Sequence, residues 1–153
     1  MIAIVTDRPN VGREIARVLG ADRKENGYMT GNGYMVTWAL GHLVSLALPG
    51  TYGYTRTTAE DLPMLPEPFR LVERQIRTDR GMVTDIAAGR QLKVIDGVFS
   101  ECDSIIVATD AGREGELIFR WIYSHLGCTK PFKRLWFSSL TDEAIRKGMA
   151  DLR

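Results

Sequence analysis

The sequence has little cysteine, no long apolar run and almost no net charge. Its two cysteines, Cys102 and Cys128, are spaced neither as a disulfide framework nor as a metal-ligand pair, so a reducing cytoplasm is the expected compartment. No stretch approaches the roughly 18 apolar residues of a membrane helix, and the apolar start lacks the basic residues of a signal peptide. No membrane partner is therefore expected. The net charge of +1 excludes an argument for nucleic-acid binding from bulk charge, because such proteins usually carry a clear basic excess.

What the sequence does contain is an alternation of short apolar runs with helical periodicities. Its 153 residues suffice for one compact domain with a core. Strand patterns cover residues 2–6, 104–109 and 133–137, and the segments 28–30 and 34–38 flank a Gly31-Asn-Gly33 hairpin signal. Helical patterns cover residues 11–19, 82–99, 114–126 and 142–152.

This order predicts an α/β fold: a mostly parallel, Rossmann-like sheet with helices on both faces, plus an antiparallel β-hairpin. The proline-rich range of about 49–80 shows neither periodicity and is interpreted as an irregular insertion. The chain stops soon after its last helix begins, without a cap or tail. We therefore expect a single domain over residues 1–153 that is the N-terminal fragment of a longer protein.

Polar residues follow two of the predicted parallel strands, where such sheets bind ligands. Asp110 ends the apolar strand, and Glu114 lies one helical turn later. Carboxylates so spaced can converge on a hard cation such as Mg²⁺, and Asp7 would join them if its strand lies alongside. Arg113 carries a positive charge suited to a phosphate oxygen. The glycines at 112 and 115 predict close backbone approach.

A simpler interpretation of the same acids is structural. Acidic residues are common in the first turn of a helix because they complement the helix dipole, and Asp110 and Glu114 alone would fit that explanation. The complete string Asp110–Glu116 follows a buried strand, however, and a second acid–base pair, Asp7-Arg8, follows the first strand. Together these features favour a metal and phosphate site.

The string Asp110-Ala-Gly-Arg-Glu-Gly-Glu116 resembles the metal-binding motif of the Toprim domain. Its surroundings, Ile106–Arg120, are similar to bacterial topoisomerase III, a type IA DNA topoisomerase. The similarity includes Thr6–Leu19, which resembles that family's opening Glu-Lys-Pro-Ser turn. It also includes Thr37-Trp-Ala-Leu-Gly-His-Leu43, which matches a Trp-x-x-Gly-His-Leu segment, and Arg134–Thr141, which matches the following strand.

The resemblance implies an ATP-independent isomerase that cleaves one DNA strand through a tyrosine, passes another strand and religates. It implies Mg²⁺ held by Asp110 and Glu114, with Asp7 as general acid and base and as a further metal ligand. Arg8 and Arg113 would face phosphate, and His42 would lie near the scissile phosphate, although a lone histidine is equally often structural.

The expected partners are single-stranded or negatively supercoiled DNA and the remaining domains of the same polypeptide, in a cytoplasmic, nucleoid-associated setting. The tyrosines of this chain match no Tyr-x-Arg-type context, so the catalytic tyrosine is expected elsewhere and the fragment alone is expected to be inactive.

Three positions depart from the family pattern. Asp7 replaces a glutamate and is one methylene shorter, and Arg8 replaces a lysine. Gly112 stands where many Toprim domains carry a second aspartate, which predicts weaker, millimolar-range metal binding completed by waters and DNA phosphate. Glu116 and Arg120 are expected on a solvated face. Most of the three tryptophans are expected in the core rather than stacked on bases (Trp38, Trp121 and Trp136).

Two other classes of protein share parts of this pattern. A Toprim-type primase or nuclease would use the same acids for metal-dependent phosphoryl transfer without a tyrosine. A non-enzymatic phosphate-binding module of doubly wound type is less well supported, because no Gly-x-Gly-x-x-Gly turn follows the first strand.

Overall fold

The computed structural model describes residues 1–46 and 71–153, which contain ten strands and four helices. In chain order these elements are β1 (Ile2–Thr6), α1 (Pro9–Leu19), β2 (Arg23–Glu25), β3 (Tyr28–Gly31), β4 (Tyr34–Trp38), β5 (Val44–Leu46), β6 (Leu71–Glu73), β7 (Gln75–Thr78), β8 (Gly81–Thr84), α2 (Ile86–Glu101), β9 (Ser104–Val107), α3 (Arg113–His125), β10 (Phe132–Arg134) and α4 (Asp142–Ala150).

A six-stranded sheet in the order β10-β9-β1-β4-β3-β2 forms the centre of the fold. The strands β10, β9, β1 and β4 run parallel, whereas β3 and β2 continue the sheet as antiparallel strands. Two separate ribbons pair β5 with β6 and β7 with β8. The predicted parallel sheet with an antiparallel hairpin is thus confirmed, and β2 extends the hairpin beyond what the sequence predicted.

Helices cover the sheet on both faces because the central strands are apolar on both sides. Ala3 and Val5 of β1 point into one core, which α2 and α3 close with residues such as Ile95 and Phe119. Ile4, between them, points into the opposite core, which α1 and α4 close. This alternation is the period-two pattern of a strand, here apolar on both faces.

The turn between β3 and β4 is formed as its sequence predicts. Gly31, Asn32 and Gly33 all have positive φ, at 144°, 52° and 84°, which is the region that glycine and asparagine tolerate. The Asn32 amide also donates a 2.8 Å hydrogen bond to the carbonyl of Leu19 at the end of α1. The hairpin turn is therefore tied to the first helix.

The predicted helix over 82–99 was wrong at its start. Asp85 caps α2 by accepting from the N–H groups of Ala87 and Ala88, at 3.1 and 3.5 Å, so the helix begins at Ile86. The residues before it form β8 instead. Gly81, with a φ of 98°, allows the turn that pairs β8 with β7. The residues after this turn are therefore extended and do not belong to the helix.

The insertion predicted as irregular over about 49–80 was also partly wrong, because residues 71–73 and 75–78 are strands. Residues 47–70 lie outside the described part of the chain. Within the described ranges, no helix combines the length and apolarity that crossing a membrane requires.

Candidate active site at the carboxyl ends of the parallel strands

The candidate site lies where β1 and β9 end side by side. From β1 the chain passes through α1 and on to β4, which pairs with β1 on the side away from β9. From β9 the chain passes through α3 to β10, which pairs with β9 on the side away from β1. This divergence is a topological switch point, which opens a crevice outside the carboxyl ends of the strands. The acidic residues predicted from sequence follow these two strands directly.

Asp7 and Asp110 are neighbours at this crevice. Asp7 is buried, with 5% of its surface exposed, and Asp110 is exposed. Burial raises the pKa of Asp7 above its ordinary value, and the Asp110 carboxylate raises it further by repulsion and by a hydrogen bond. A backbone hydrogen bond and the charge of Arg8 lower the pKa, but their effect is smaller. A carboxyl group in this setting holds its proton more readily than an exposed aspartate.

Gly115 is what permits Asp110 its position over the first turn of α3. A Cβ at Gly115 would overlap the Asp110 carbonyl oxygen and would lie 2.7 Å from the Asp110 amide nitrogen. No side chain fits there without displacing the Asp110 backbone. Gly112, in contrast, has nothing within 4 Å of its virtual Cβ and a negative φ of −81°. Close backbone approach within the chain is therefore seen at Gly115, whereas the space beside Gly112 is open.

Glu114 lies in the first turn of α3 but turns towards a histidine. Its side chain is 78% exposed, and its Oε1 is 3.8 Å from Nε2 of His42. Within residues 1–46 and 71–153, no three His, Cys, Asp or Glu side chains gather closely enough to form a metal cluster. The structure thus brings Asp7 and Asp110 together, with Glu114 set apart beside His42, and metal ligation by all three stays a prediction.

His42 occupies the loop between β4 and β5 and reaches the same edge. The N–H of Gly41 donates to the carbonyl of Asp7 at 3.2 Å, which holds this loop next to the first acid. The imidazole lies 5.6 Å from the Trp121 ring of α3, and its Nδ1 is buried without a hydrogen-bond partner in the described part of the chain. We use the term acidic edge for Asp7, Asp110 and Glu114.

Two exposed arginines stand at helix N-termini along the acidic edge. Arg8 is the N-cap residue of α1, which Pro9 then begins, and Arg113 is the first residue of α3. A helix N-terminus presents free N–H groups and a partial positive charge to anions. Two cations at such ends suit the phosphates of a nucleic-acid backbone.

Arg120 is exposed, as the sequence predicted, whereas Glu116 is only partly exposed and is held by two arginines. Arg120 donates to Glu116 at 2.7 Å and stacks over Phe132, 4.9 Å from the ring centroid. Arg134 of β10 bonds the second carboxylate oxygen of Glu116. Burial alone would raise the pKa of Glu116, but these two arginines outweigh burial and lower it. Glu116 therefore joins α3 to the sheet edge and is not available to replace a metal ligand.

The tryptophans divide by position. Trp38 is buried beneath α1, as predicted, and Arg13 lies 5.4 Å above its ring. Trp121 is half-buried against His42. Trp136 is 43% exposed, with Arg153 5.9 Å from its ring, so it is the tryptophan that lies outside the core.

Sequence reasoning also missed a pair that supports the site. The side chains of Arg74 and Asp85 bond each other at 2.9 Å, and Arg74 also donates to the His42-bearing loop. The helix-start signal at Asp85 could have been found from the sequence. No local pattern marks Arg74, because its partners lie 11 to 34 residues away.

The arrangement of these residues can be compared with known proteins. The family model described as "Toprim domain" matches residues 2–140. The chain belongs to the Toprim family. The predicted family is confirmed.

The relatives of this Toprim domain are considerably longer proteins. The chain is 47% identical, over 98% of its length, to a protein named DNA topoisomerase 3 from Bacillus thuringiensis (strain Al Hakam), of which it covers 20%. It is 45% identical, again over 98%, to DNA topoisomerase 3 of Bacillus subtilis (strain 168), with the same 20% coverage. The predicted resemblance to topoisomerase III is confirmed, and the Toprim domain spans about one fifth of these relatives.

A solved structure shares the fold. The full-length topoisomerase I from Thermotoga maritima matches 99% of this chain and 21% of its own, with a TM-score of 0.58 and 19% sequence identity. The predicted fold, a Rossmann-like sheet with helices on both faces, is therefore confirmed.

Proposed function

We propose that this chain is the Mg²⁺-binding catalytic domain of a topoisomerase III-like, type IA DNA topoisomerase. The observation that carries the proposal is the pairing of a buried Asp7, whose pKa is raised, with Asp110 at the switch point of the sheet. The 47% identity to proteins named DNA topoisomerase 3 supports this assignment over other members of the family. The complete enzyme would supply the cleaving tyrosine from outside this chain, and the fragment alone would not relax DNA.

Asp7 is the residue best suited to move a proton. When a tyrosine oxygen attacks the DNA phosphorus, the 3′ oxygen leaves and needs a proton; religation needs that proton removed again. A carboxyl group with a raised pKa serves both directions better than an ordinary aspartate, because its pKa lies nearer to the working pH. Asp7 would protonate the 3′ oxygen on cleavage and take the proton back on religation.

Arg8, Arg113 and His42 would bind the DNA backbone around that oxygen. The two arginines are exposed at helix N-termini, where a phosphate also gains from the N–H groups. His42 lies beside Glu114 and on the loop bonded to the Asp7 backbone. These groups would fix the phosphate without contributing to the bonds that form and break.

The donor set suits a hard divalent cation. Asp7 and Asp110 offer carboxylate oxygens, the ligand that Mg²⁺ prefers, and their mutual repulsion would be relieved by a cation between them. Asp110 and Glu114, together with Asp7, are the proposed ligands, and Mg²⁺ would neutralise charge on the DNA phosphate. The glycine at 112 withholds one further carboxylate, so millimolar-range affinity is expected.

The test is relaxation of negatively supercoiled DNA by the full-length protein that carries this chain. We expect Mg²⁺-dependent, ATP-independent relaxation. It should fall at least about 100-fold in Asp7→Ala, since general acid–base groups typically contribute about 10²–10⁴-fold. It should also fall in Glu114→Ala, which removes a proposed Mg²⁺ ligand. Asp22→Asn, which changes an exposed carboxylate that follows the C-terminal end of α1, is the matched control. Undiminished relaxation by either alanine variant would remove that residue from the mechanism.

The same preparation distinguishes the alternative function. A Toprim-type primase would make primers, and a nuclease would cut DNA without attaching to it. We expect instead a covalent protein–DNA adduct when the reaction is stopped with detergent. Cleavage without an adduct, or primer synthesis, would favour the alternative.

A DNA substrate also implies a cytoplasmic, nucleoid-associated protein, which imaging of the tagged full-length protein tests.

A further inference from the structure

Arg74 connects the loop that carries His42 with the N-terminus of α2. Its Nη1 donates to the carbonyl of Leu40 at 2.6 Å and to that of His42 at 3.3 Å. Its Nε and Nη2 both reach the Asp85 carboxylate at 2.9 Å. The side chains of Arg74 and Asp85 are 31% and 17% exposed, so this ion pair is better shielded from water than an ordinary surface pair.

The backbone of Arg74 strengthens the same connection. Its N–H donates to the carbonyl of Leu43 at 2.7 Å, and its own carbonyl accepts from the N–H of Asp85 at 2.8 Å. Arg74 therefore contacts both ends of the loop 40–43 and the N-cap of α2. Since Asp85 is itself held by the first turn of α2, the arginine is anchored to a rigid helix on one side.

The loop that Arg74 contacts is fixed at its two ends by the buried side chains of Ala39 and Leu43. Residues 39–43 have no regular secondary structure, and Gly41 adopts a φ of 71°. On the side of the acidic edge the loop is bonded to β1 through Ala39 N–H to Thr6 at 2.8 Å and Gly41 N–H to Asp7 at 3.2 Å. Arg74 bonds the opposite side, so the loop is held between β1 and α2.

We propose that Arg74 is a positioning residue that holds His42 against the acidic edge, by bonding the carbonyls of Leu40 and His42 while Asp85 anchors its guanidinium. The proposal rests on the proposed function, in which His42 binds the DNA backbone. A planar guanidinium, with five donors in fixed directions, can serve two carbonyls and a carboxylate at once, whereas a lysine ammonium cannot reproduce that geometry. Lysine is therefore not an adequate replacement.

A purely structural role for the same residue makes different predictions. If Arg74 only stabilises the N-terminus of α2, its loss would lower stability and would act equally with or without His42. If it positions His42, its effect must disappear once His42 is gone, because residues acting as a unit are not additive. The double mutant therefore separates the two roles.

The experiment measures relaxation rate and DNA binding in the full-length protein for Arg74→Ala, Arg74→Lys, His42→Ala and the double variant Arg74→Ala/His42→Ala. We expect Arg74→Ala and Arg74→Lys to slow relaxation about 10- to 100-fold, the size of effect that an ångström-scale misplacement produces. DNA binding should change less than about twofold. In the His42→Ala background, Arg74→Ala should add less than about twofold. Arg77→Ala, an exposed arginine on β7, is the matched control and should retain wild-type rate.

Equal relaxation rates for Arg74→Ala and Arg77→Ala would overturn the proposal, as would a further 10- to 100-fold loss in the His42→Ala background. A second measurement is independent of activity: hydrogen exchange at the Gly41 amide, which bonds Asp7, should accelerate about 10-fold or more in Arg74→Lys while amides of β1 stay protected. Unchanged exchange at Gly41 would overturn it too. Failure of the wild-type protein to relax DNA would instead contradict the proposed function. Hydrogen exchange at Gly41 would then still test the role of Arg74.

Discussion

The backbone of Asp110 lies directly over Gly115, and a Cβ at position 115 would overlap the Asp110 carbonyl oxygen. Real Cβ atoms do not approach backbone that closely, so a substitution there must move the strand-to-helix turn. This one contact couples the first turn of α3 to the position of the acid beside Asp7. The glycine is therefore a requirement of the site rather than of the helix.

Replacing Gly115 by alanine tests this coupling. Helix propensity alone predicts that Gly115→Ala should stabilise the protein by about 1 kcal/mol. We expect the opposite, a loss of about 1–3 kcal/mol, because the added methyl displaces backbone, together with a fall in relaxation of up to about 100-fold. Urea unfolding and relaxation of supercoiled DNA measure the two effects.

Gly97→Ala is the matched control for this prediction. Gly97 also lies inside a helix, α2, but nothing lies within 4 Å of its virtual Cβ. The same substitution there should stabilise the protein and leave relaxation unchanged. If Gly115→Ala behaved like Gly97→Ala, Asp110 would not depend on the glycine.

Gly112 offers the opposite experiment, because its surroundings are open. The Cβ of an aspartate at this N-cap position would meet no atom within 4 Å, and the residue would adopt the existing φ of −81° without strain. We expect Gly112→Asp to raise Mg²⁺ affinity several-fold by adding a carboxylate, and to stabilise α3 by a few tenths of a kcal/mol as a cap. Mg²⁺ titration followed by NMR measures the affinity.

Gly112→Asn separates the two contributions. Asparagine caps a helix as well as aspartate does but carries no charge. It should reproduce the gain in stability and leave Mg²⁺ affinity at the wild-type value. An equal gain in affinity from asparagine would show that the extra carboxylate is not a ligand.

The sheet was predictable because its signals are local. The apolar runs of β1 and β9 and the Gly31–Gly33 turn indicate strands and a hairpin by period and turn chemistry alone. A parallel sheet then requires strand ends to meet at one edge, which is why Asp7 and Asp110 could be expected together. The turn at Gly81 has a similar local signal. Because it lies shortly before α2, the apolar residues after it appeared to belong to the helical period of α2.

The finer geometry of the site was not predictable, because it depends on contacts between distant parts of the chain. Glu114 faces His42 rather than the two aspartates only because the loop after β4 packs on Trp121 of α3. Glu116 bonds Arg134, 18 residues away and on another element. Periodicity describes which face of a helix is buried, and it contains no information about which side chain stands opposite.

The Glu116 contact predicts a pH-dependent contribution to stability. Because the pKa of Glu116 is lowered in the folded protein, its ionised form stabilises the fold above its unfolded pKa near 4.5. Glu116→Gln should therefore cost on the order of 1 kcal/mol or less at pH 7, since the carboxylate is partly exposed and screened. The cost should vanish as the pH falls through the folded pKa.

Thermal unfolding of the wild-type and Glu116→Gln proteins between pH 7 and pH 3 measures this convergence. Glu143→Gln, an exposed acid in the first turn of α4, is the control for a general change of charge. A difference between wild type and Glu116→Gln that stayed constant across this range would mean that the carboxylate charge contributes nothing to the contact.

Asp7 predicts the opposite dependence of stability on pH. Its pKa is raised from 3.8 in the folded protein, first by burial and then by Asp110, so the unfolded chain loses its proton at lower pH than the folded one. Stability contributed by the protonated form is complete below pH 3.8 and is lost as the pH rises through the folded pKa. At pH 7 without Mg²⁺, Asp7 therefore contributes less to the stability of the domain than it does below pH 3.8.

Asp7→Asn should consequently raise the melting temperature at pH 7 in the absence of Mg²⁺, by a few degrees for a gain of about 1 kcal/mol in a chain of this length. The gain should shrink as the pH approaches 3.8, and it should shrink when Mg²⁺ is added, because only the wild-type carboxylate gains from the cation. Asp22→Asn, in an exposed position, should show neither change. A stabilised but inactive Asp7→Asn enzyme would show that the domain retains an unfavourable buried charge for its chemistry, and a destabilised one would contradict that interpretation.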